Sequence, residues 1–202
     1  MGGMSRREIE VNEAELVERL IGILRATAPL MQVMRIARGL GLPDWLVFSG
    51  AIYQPVLNHL TNRPLDYAIK DYDLAYFDQS DISYEAEDAV IRRVQGAFEE
   101  PLRSMVEVRN QARVHLWFEG RLGEAYTPLA RTAEALERFT STAFAVGARL
   151  DPDDRLHIQA PFGLTDLFAL RLRPNPRRKS LHFARTCAGV IRRWPEVVVE
   201  DE

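Results

Sequence analysis

The chain has 202 residues, 47% hydrophobic and 27% charged, which suits one α/β domain or a catalytic core with a small helical annex. The net charge of −3 gives no global field that attracts nucleic acid, and the single cysteine, Cys187, excludes an internal disulfide and a multi-cysteine metal site. No apolar run approaches the roughly 20 residues of a membrane span, and residues 1–10 are too polar for a signal peptide, so we expect a cytoplasmic protein without membrane contact.

Two amphipathic helices are predicted at the N-terminus. Apolar residues recur at helical spacing over residues 12–27, and Pro29 then interrupts the pattern. A second helix is expected to end near Leu40, with Gly41 as its C-terminal cap. Residues 1–42 are therefore assigned to an N-terminal helical segment.

Strands and helices are predicted to alternate over residues 43–176. The predicted strands cover 44–48, 69–78, 105–108 and 156–160, and the predicted helices cover 51–62, 84–99 and 128–140. Residues 177–202 are expected to form a closing helix at 180–193 and an acidic tail. This order predicts an α/β (α+β) protein, in which helices flank a mixed sheet and the three segments form one compact unit.

The junction between the first predicted strand and the helix after it contains two small residues, Ser49 and Gly50. Small residues at a helix N-terminus let backbone N–H groups approach an anion, and the helix dipole favours negative charge there. A Ser-Gly turn between a strand and a helix is also common, so this motif alone is a weak indication of a phosphate site.

The second motif is the pair of acids Asp71 and Asp73 on a predicted strand. Side chains two residues apart on a strand point to the same face, so these carboxylates lie close together and repel each other. A divalent cation relieves that repulsion, and Mg²⁺ (or Mn²⁺) takes one or two carboxylates plus substrate phosphates. A solvated edge strand is the alternative, although residues 74–77 have the composition of a buried strand.

A third acid, Glu107, lies between two valines on the next predicted strand. Metal-dependent phosphoryl transfer needs a further carboxylate to orient or deprotonate the attacking hydroxyl, and Glu107 is the best-placed candidate. Taken alone, a solvent-facing position on an alternating strand explains Glu107 more simply.

The three motifs, in this order, resemble the nucleotidyltransferase superfamily with its DNA polymerase beta-like fold. The chain looks more closely like a bacterial group of nucleotidyltransferase family proteins, and the segments that carry this likeness are 49–52, 71–78, 108–117 and 160–168. The resemblance implies a mixed sheet flanked by helices and a metal-dependent transfer of a nucleoside monophosphate from a nucleoside triphosphate. It implies no particular acceptor.

Combining motifs and resemblance, we predict that Asp71 and Asp73 hold the metal and that Glu107 joins them in catalysis. Ser49 and Gly50 are predicted to hold the terminal phosphates.

Arg113 follows the third strand and is predicted to bind substrate, because a guanidinium suits bidentate phosphate contact. One departure concerns Tyr53 and Gln54, which stand where relatives often carry Arg-Asn. If that arginine touches phosphate, its loss weakens triphosphate binding.

Two alternatives to an active enzyme stay open. The departure at Tyr53 is compatible with a catalytically degenerate nucleotide-binding protein, and the helical N-terminus is compatible with an interaction partner such as a toxin–antitoxin component. The basic loop 173–179 makes nucleic acid a possible partner, but no aromatic residues are interleaved with its charges, so that reading is not favoured.

Overall fold

The computed structural model describes the backbone of residues 6–200 and the side chains of residues 13–200. The α-helices are α1 (Arg6–Ala26), α2 (Ala28–Gly39), α3 (Gly50–Leu60), α4 (Tyr84–Gly96), α5 (Leu102–Met105), α6 (Phe118–Leu122), α7 (Thr165–Phe168) and α8 (Phe183–Ile191). The strands are β1 (Leu46–Phe48), β2 (Tyr72–Tyr76), β3 (Val106–Asn110), β4 (Gly147–Leu150), β5 (Leu156–Gln159), β6 (Arg171–Leu172) and β7 (Val198–Val199). Short 3₁₀ helices cover Gln111–Leu116, Thr132–Arg138 and Thr142–Phe144.

Five strands form a mixed sheet in the order β3-β2-β1-β4-β5. Strands β2 and β3 are parallel, and the other neighbours are antiparallel. Strands β6 and β7 form a separate parallel pair, which ties the end of the described chain back to residues 171–172. The mixed sheet flanked by helices confirms the predicted fold class.

The two faces of the sheet have different chemistry. On β2, Tyr72 and Leu74 are buried, and their neighbours across β3 are the buried Val106 and Val108. Helices α2 and α4 pack against these strands. The opposite face carries the residues in between, including Asp73, so the alternation of β2 sends apolar side chains into the core and the acid to the other side.

The predicted N-terminal helical pair is confirmed as α1 and α2, and its apolar side chains are buried, among them Leu20, Leu24 and Met34. No single helix within residues 6–200 is long and apolar enough to span a membrane. Residues 13–26 and 28–39 pass that test only together, across a 92° bend.

The predicted helix over residues 128–140 is wrong, because this segment forms only the 3₁₀ helix Thr132–Arg138. The Asn175 side-chain amide donates hydrogen bonds to the carbonyl oxygens of Glu137 (2.8 Å) and Phe139 (2.7 Å). Those contacts hold the segment by tertiary bonds in place of an α-helical ladder. Strand β4 was not predicted, because Gly147 and Ala148 have low β-propensity.

Candidate active site

Two neighbouring strands, β2 and β3, place Asp73 and Glu107 side by side in the sheet. Asp73 on β2 lies opposite Phe48 on β1 and opposite Glu107 on β3. Residues directly opposite each other in a sheet present their side chains to the same face, so Asp73 and Glu107 share a face. Asp71 comes just before β2 and two residues from Asp73, which keeps it on that side.

The electrostatics of Asp73 show how closely the acids are grouped. Burial, together with the negative charges of Asp71 and Glu107, raises the pKa of Asp73 to about 6, against a hydrogen bond from Ser49 and the charge of Arg109. Desolvation and Glu107 also raise the pKa of Asp71, while Lys70 and Arg193 oppose that rise. A bound cation would stabilise the ionised form of carboxylates whose pKa is raised in this way.

The turn between β1 and α3 is strained at Ser49. This residue has φ +64° and ψ −145°, a region that only glycine enters freely. Its carbonyl oxygen accepts hydrogen bonds from the N–H groups of Ile52 and Tyr53, so the strained residue begins the helix. Such strain, of about 1–3 kcal/mol, persists where the surrounding structure enforces it, and it concentrates at functional sites.

Gly50 allows Gln54 to lie against the first turn of α3. A Cβ atom on Gly50 would meet the Gln54 amide nitrogen at 2.6 Å. The side-chain oxygen of Gln54 is buried and has no hydrogen-bond partner among the described residues. The Gln54 side-chain oxygen is therefore an acceptor that a ligand donor could satisfy in this corner of the site.

These residues border one cavity of about 500 Å³, which we call the polar cavity. Its lining residues are Ser49, Gly50, Tyr53, Gln54, Lys70, Asp71, Asp73, Gly189, Arg192 and Arg193. Two carboxylates and three cationic side chains thus face a common space at the N-terminus of α3. The cavity combines a place for a divalent cation with a place for an anion of high charge.

Helix α8 brings the two arginines of the polar cavity to the acids. It ends at Ile191, directly before Arg192 and Arg193. The Arg193 Nε donates to the Gly189 carbonyl oxygen (3.2 Å), and the guanidinium lies 4.7 Å from the centroid of the Trp194 ring. These contacts hold Arg193 close enough to Asp71 and Tyr53 for its charge to oppose the rise in pKa that burial causes in both groups.

Comparison with known proteins agrees with this geometry. The sequence profile of the family described as "Nucleotidyltransferase" matches residues 35–199. The chain belongs to the nucleotidyltransferase family. The matched range contains all the sheet strands, both acids of the polar cavity and both arginines from α8.

A solved structure supports the nucleotidyltransferase fold. It is an NMR structure of a protein described as a CCA-adding enzyme head domain, with a TM-score of 0.71 and 21% sequence identity. The match covers 89% of this chain and 95% of that one. A comparison with curated proteins finds no match. Family and fold together support nucleotidyl transfer as the activity of the chain.

Nucleotidyltransferases generally use divalent metal ions, and the residues of the polar cavity fit one. The carboxylates of Asp71 and Asp73 supply hard oxygen ligands, and a cation beside them would offset the burial and the neighbouring negative charges that raise the pKa of Asp73. Within residues 13–200, no group of three or more His, Cys, Asp or Glu side chains is placed to hold a metal ion. Two carboxylates leave the remaining positions to substrate oxygens and water, which is the usual arrangement for Mg²⁺.

The structure brings together four of the six residues predicted for the site: Ser49, Gly50, Asp71 and Asp73 line the polar cavity. Glu107 lies next to Asp73 across β2 and β3, exposed at the rim rather than in the cavity wall.

Arg113 is not brought to the acids. It forms a buried ion pair with Glu87, and its Nε donates to the Ile82 carbonyl oxygen (3.2 Å). These contacts do not support its predicted role in substrate binding, and they give Arg113 a structural one.

The sequence prediction missed the cations Lys70, Arg192 and Arg193. Lys70 is adjacent to Asp71, and that position was a usable signal, because it puts a cation beside a predicted metal ligand. Arg192 and Arg193 are the last two residues of the predicted closing helix, and no local pattern links them to acids more than 100 residues earlier.

Proposed function

We propose that the chain is a metal-dependent nucleotidyltransferase, which moves a nucleoside monophosphate from a nucleoside triphosphate to an acceptor hydroxyl. The observation that carries this proposal is the composition of the polar cavity. Asp71 and Asp73 share it with the strained N-terminus of α3 and with three cations, Lys70, Arg192 and Arg193. The two carboxylates suit the metal ion, and the helix N-terminus and the cations suit the phosphates of a metal–triphosphate complex.

The triphosphate is assigned to the side of the cavity formed by Ser49, Gly50 and the cations. Backbone N–H groups at the start of α3 and the positive end of its dipole attract phosphate oxygens. Lys70, Arg192 and Arg193 add charge-assisted hydrogen bonds, which are stronger than neutral ones. They compensate for the arginine that relatives often carry at the position of Tyr53.

Asp71 and Asp73 would hold Mg²⁺ (or Mn²⁺). Bound there, the cation would neutralise negative charge that develops on the phosphoryl group in the transition state. An oxygen of the acceptor forms a bond to the α-phosphorus, and the bond to the leaving pyrophosphate breaks. Glu107, beside Asp73 and exposed, would orient the acceptor hydroxyl and take its proton.

The experiment that tests this proposal is a calorimetric titration with a non-hydrolysable nucleoside triphosphate, with and without Mg²⁺. We expect binding that requires both the cation and the two acids, so that the double variant Asp71→Asn/Asp73→Asn binds at least tenfold more weakly. The control Asp153→Asn removes a carboxylate from an exposed loop ion pair with Arg155 and leaves binding unchanged. Metal-independent binding, or full binding by the double variant, would refute the assignment of the metal site.

A catalytically degenerate nucleotide-binding protein is the second candidate, and the presence of Tyr53 and Gln54 in the cavity wall favours it. Release of pyrophosphate from nucleoside triphosphates over a panel of hydroxyl acceptors separates the two. Release that disappears in Asp73→Asn supports the enzyme, whereas tight binding without release over the whole panel supports the degenerate protein.

The interaction-partner alternative requires exposed apolar residues on the N-terminal helices. Between residues 13 and 39, the large apolar side chains of α1 and α2 are buried or partly buried in the core. Over residues 13–39, that helix pair therefore contributes to the fold rather than offering an apolar surface for a second chain.

A further inference from the structure

A second cavity, of about 370 Å³, adjoins the polar cavity, and Ser49 and Tyr53 line both. We call it the aromatic cleft. Its walls include Trp117, Phe118, Tyr126 and Phe139. It lies on the acidic face of the sheet, because Phe48 and Arg109 of that face form part of its lining.

The aromatic cleft is built to hold a flat ring. The rings of Phe118 and Tyr126 pack with their centroids 4.4 Å apart, and Phe48 meets Phe139 edge-on at 5.4 Å. The Arg138 guanidinium lies 5.8 Å from the centroid of Tyr126. Aromatic faces and guanidinium planes bind nucleobases by stacking, at about 1–3 kcal/mol per base.

Among residues 13–200, three guanidinium groups and no carboxylate belong to the lining of the aromatic cleft. The buried Nε of Arg138 has no partner among the described residues, and Arg109 donates one hydrogen bond, to the Val108 carbonyl oxygen (2.8 Å). A third guanidinium, that of Arg178, is already neutralised by Glu124. Since guanidinium groups have no acceptor, Arg109 and Arg138 favour a ring edge that carries carbonyl oxygens.

We propose that the aromatic cleft binds the nucleobase of the donor nucleotide. It prefers guanine and uracil, which carry a carbonyl at C6 and C4 respectively, over adenine and cytosine, which carry an amine at the same positions. This inference rests on the proposed function, since the triphosphate of the same molecule occupies the polar cavity. One nucleotide then spans both cavities, and its ribose and α-phosphate lie beside Ser49 and Tyr53.

The test compares inorganic triphosphate with non-hydrolysable analogues of ITP, ATP, UTP and CTP, each titrated calorimetrically into the full chain with Mg²⁺. ITP and ATP differ at C6 of the purine, and UTP and CTP at C4 of the pyrimidine, by a carbonyl against an amine. We expect the carbonyl-bearing member of each pair to bind roughly fivefold to a hundredfold more tightly, as for other guanidinium–base contacts. All four nucleotides should bind more tightly than inorganic triphosphate.

Two variants test whether the base binds in the aromatic cleft and whether Arg138 sets the base preference. Thr186→Phe places a ring into the cleft from α8, and we expect it to lower nucleotide affinity to that of inorganic triphosphate, whose own affinity does not change. Arg138→Lys keeps the charge but loses the planar donors, and it should abolish the preference for ITP over ATP. Arg185→Ala, at an exposed position next to Thr186 on the same helix, is the matched control and should bind like the wild type. Melting temperatures verify that each variant is folded.

The outcomes separate the two proposals. If inorganic triphosphate and the nucleotides bind equally well and Thr186→Phe has no effect, the triphosphate site stands and the base-binding cleft is refuted. A preference for ATP over ITP would overturn the role of the guanidinium donors. If the folded wild type binds neither inorganic triphosphate nor any nucleotide, the proposed function fails, and the cleft proposal fails with it.

Discussion

Trp194 donates its indole hydrogen bond to the side-chain oxygen of Asn58 at a distance of 2.8 Å, and both side chains are fully buried. The Asn58 amide nitrogen donates in turn to the carbonyl oxygens of Leu65 (3.0 Å) and Tyr67 (2.9 Å). One asparagine therefore joins α3, the loop that leads to Asp71, and the end of α8. This contact fixes the distance between the acids and Arg192–Arg193.

Trp194→Phe tests that connection. The change removes the indole N–H and leaves the buried Asn58 oxygen without a donor, so we expect a loss of about 1–3 kcal/mol in the free energy of unfolding. Urea denaturation measures it. Because Arg193 stacks on the same ring, the affinity for inorganic triphosphate should fall as well. A denaturation midpoint equal to that of the wild type would show that the hydrogen bond adds no net stability.

Arg192→Ala/Arg193→Ala tests the contribution of α8 to phosphate binding. Each charge-assisted hydrogen bond contributes about 1.5–3 kcal/mol, so the loss of both arginines should weaken inorganic triphosphate binding by roughly a hundredfold or more. Isothermal titration calorimetry at two salt concentrations measures the effect. Arg185→Ala removes an exposed arginine from the same helix and serves as the control. Equal losses in the control and the double variant would point to a general charge effect.

Ser49→Gly should stabilise the protein. Ser49 adopts a backbone conformation that costs a residue with a side chain about 1–3 kcal/mol, and glycine adopts it freely. The greater flexibility of glycine in the unfolded chain offsets part of this gain, which leaves a net stabilisation of about 1 kcal/mol. Thermal unfolding measures it. Ser49→Ala removes the hydroxyl but keeps the strained backbone, so this control variant should not be more stable than the wild type. An equal gain in stability in both variants would disprove the strain explanation.

Asp73→Asn should change how stability depends on pH. The pKa of Asp73 is raised in the folded protein to about 6, from an ordinary value of 3.8, so the folded state binds its proton more tightly than the unfolded state does. Proton binding to Asp73 therefore stabilises the folded state fully below pH 3.8, and this stabilisation is lost as the pH rises through about 6.

We therefore expect the Asn variant to gain roughly 1–3 kcal/mol over the wild type when the pH is raised from 4 to 7, measured by urea denaturation in EDTA. Asp153→Asn, in an exposed loop, is the control. A constant difference between Asp73→Asn and the wild type from pH 4 to 7 would contradict the raised pKa.

The sequence predicts the parts of the site that depend on local patterns. The spacing of Asp71 and Asp73 places them on one face of a strand, and the small residues Ser49 and Gly50 mark a turn into a helix. The parts that it does not predict depend on tertiary contacts. Arg193 reaches the acids only because Trp194 is anchored on Asn58, a hydrogen bond between residues 136 positions apart.

The same limit explains the result at Arg113, where sequence alone suggested a phosphate ligand. The sequence around an arginine after a strand does not show whether a buried acid pairs with it. The partner of Arg113 is Glu87, which is 26 positions earlier on α4. The Glu87 carboxylate also accepts a hydrogen bond from the Asn110 backbone N–H at 2.9 Å. Glu87 thereby ties α4 to the end of β3 and holds Arg113 away from the polar cavity.

Arg113→Met separates the structural role from a binding role. It leaves the carboxylate of Glu87, whose side chain is 5% exposed, buried without its ion-pair partner, so we expect a loss of about 3–5 kcal/mol in the free energy of unfolding. The double variant Arg113→Met/Glu87→Gln also removes that buried charge. It should therefore recover part of the lost free energy of unfolding. Affinity for inorganic triphosphate, measured at a temperature where each variant is folded, should equal that of the wild type. A tenfold loss of affinity with unchanged stability would instead return Arg113 to the substrate site.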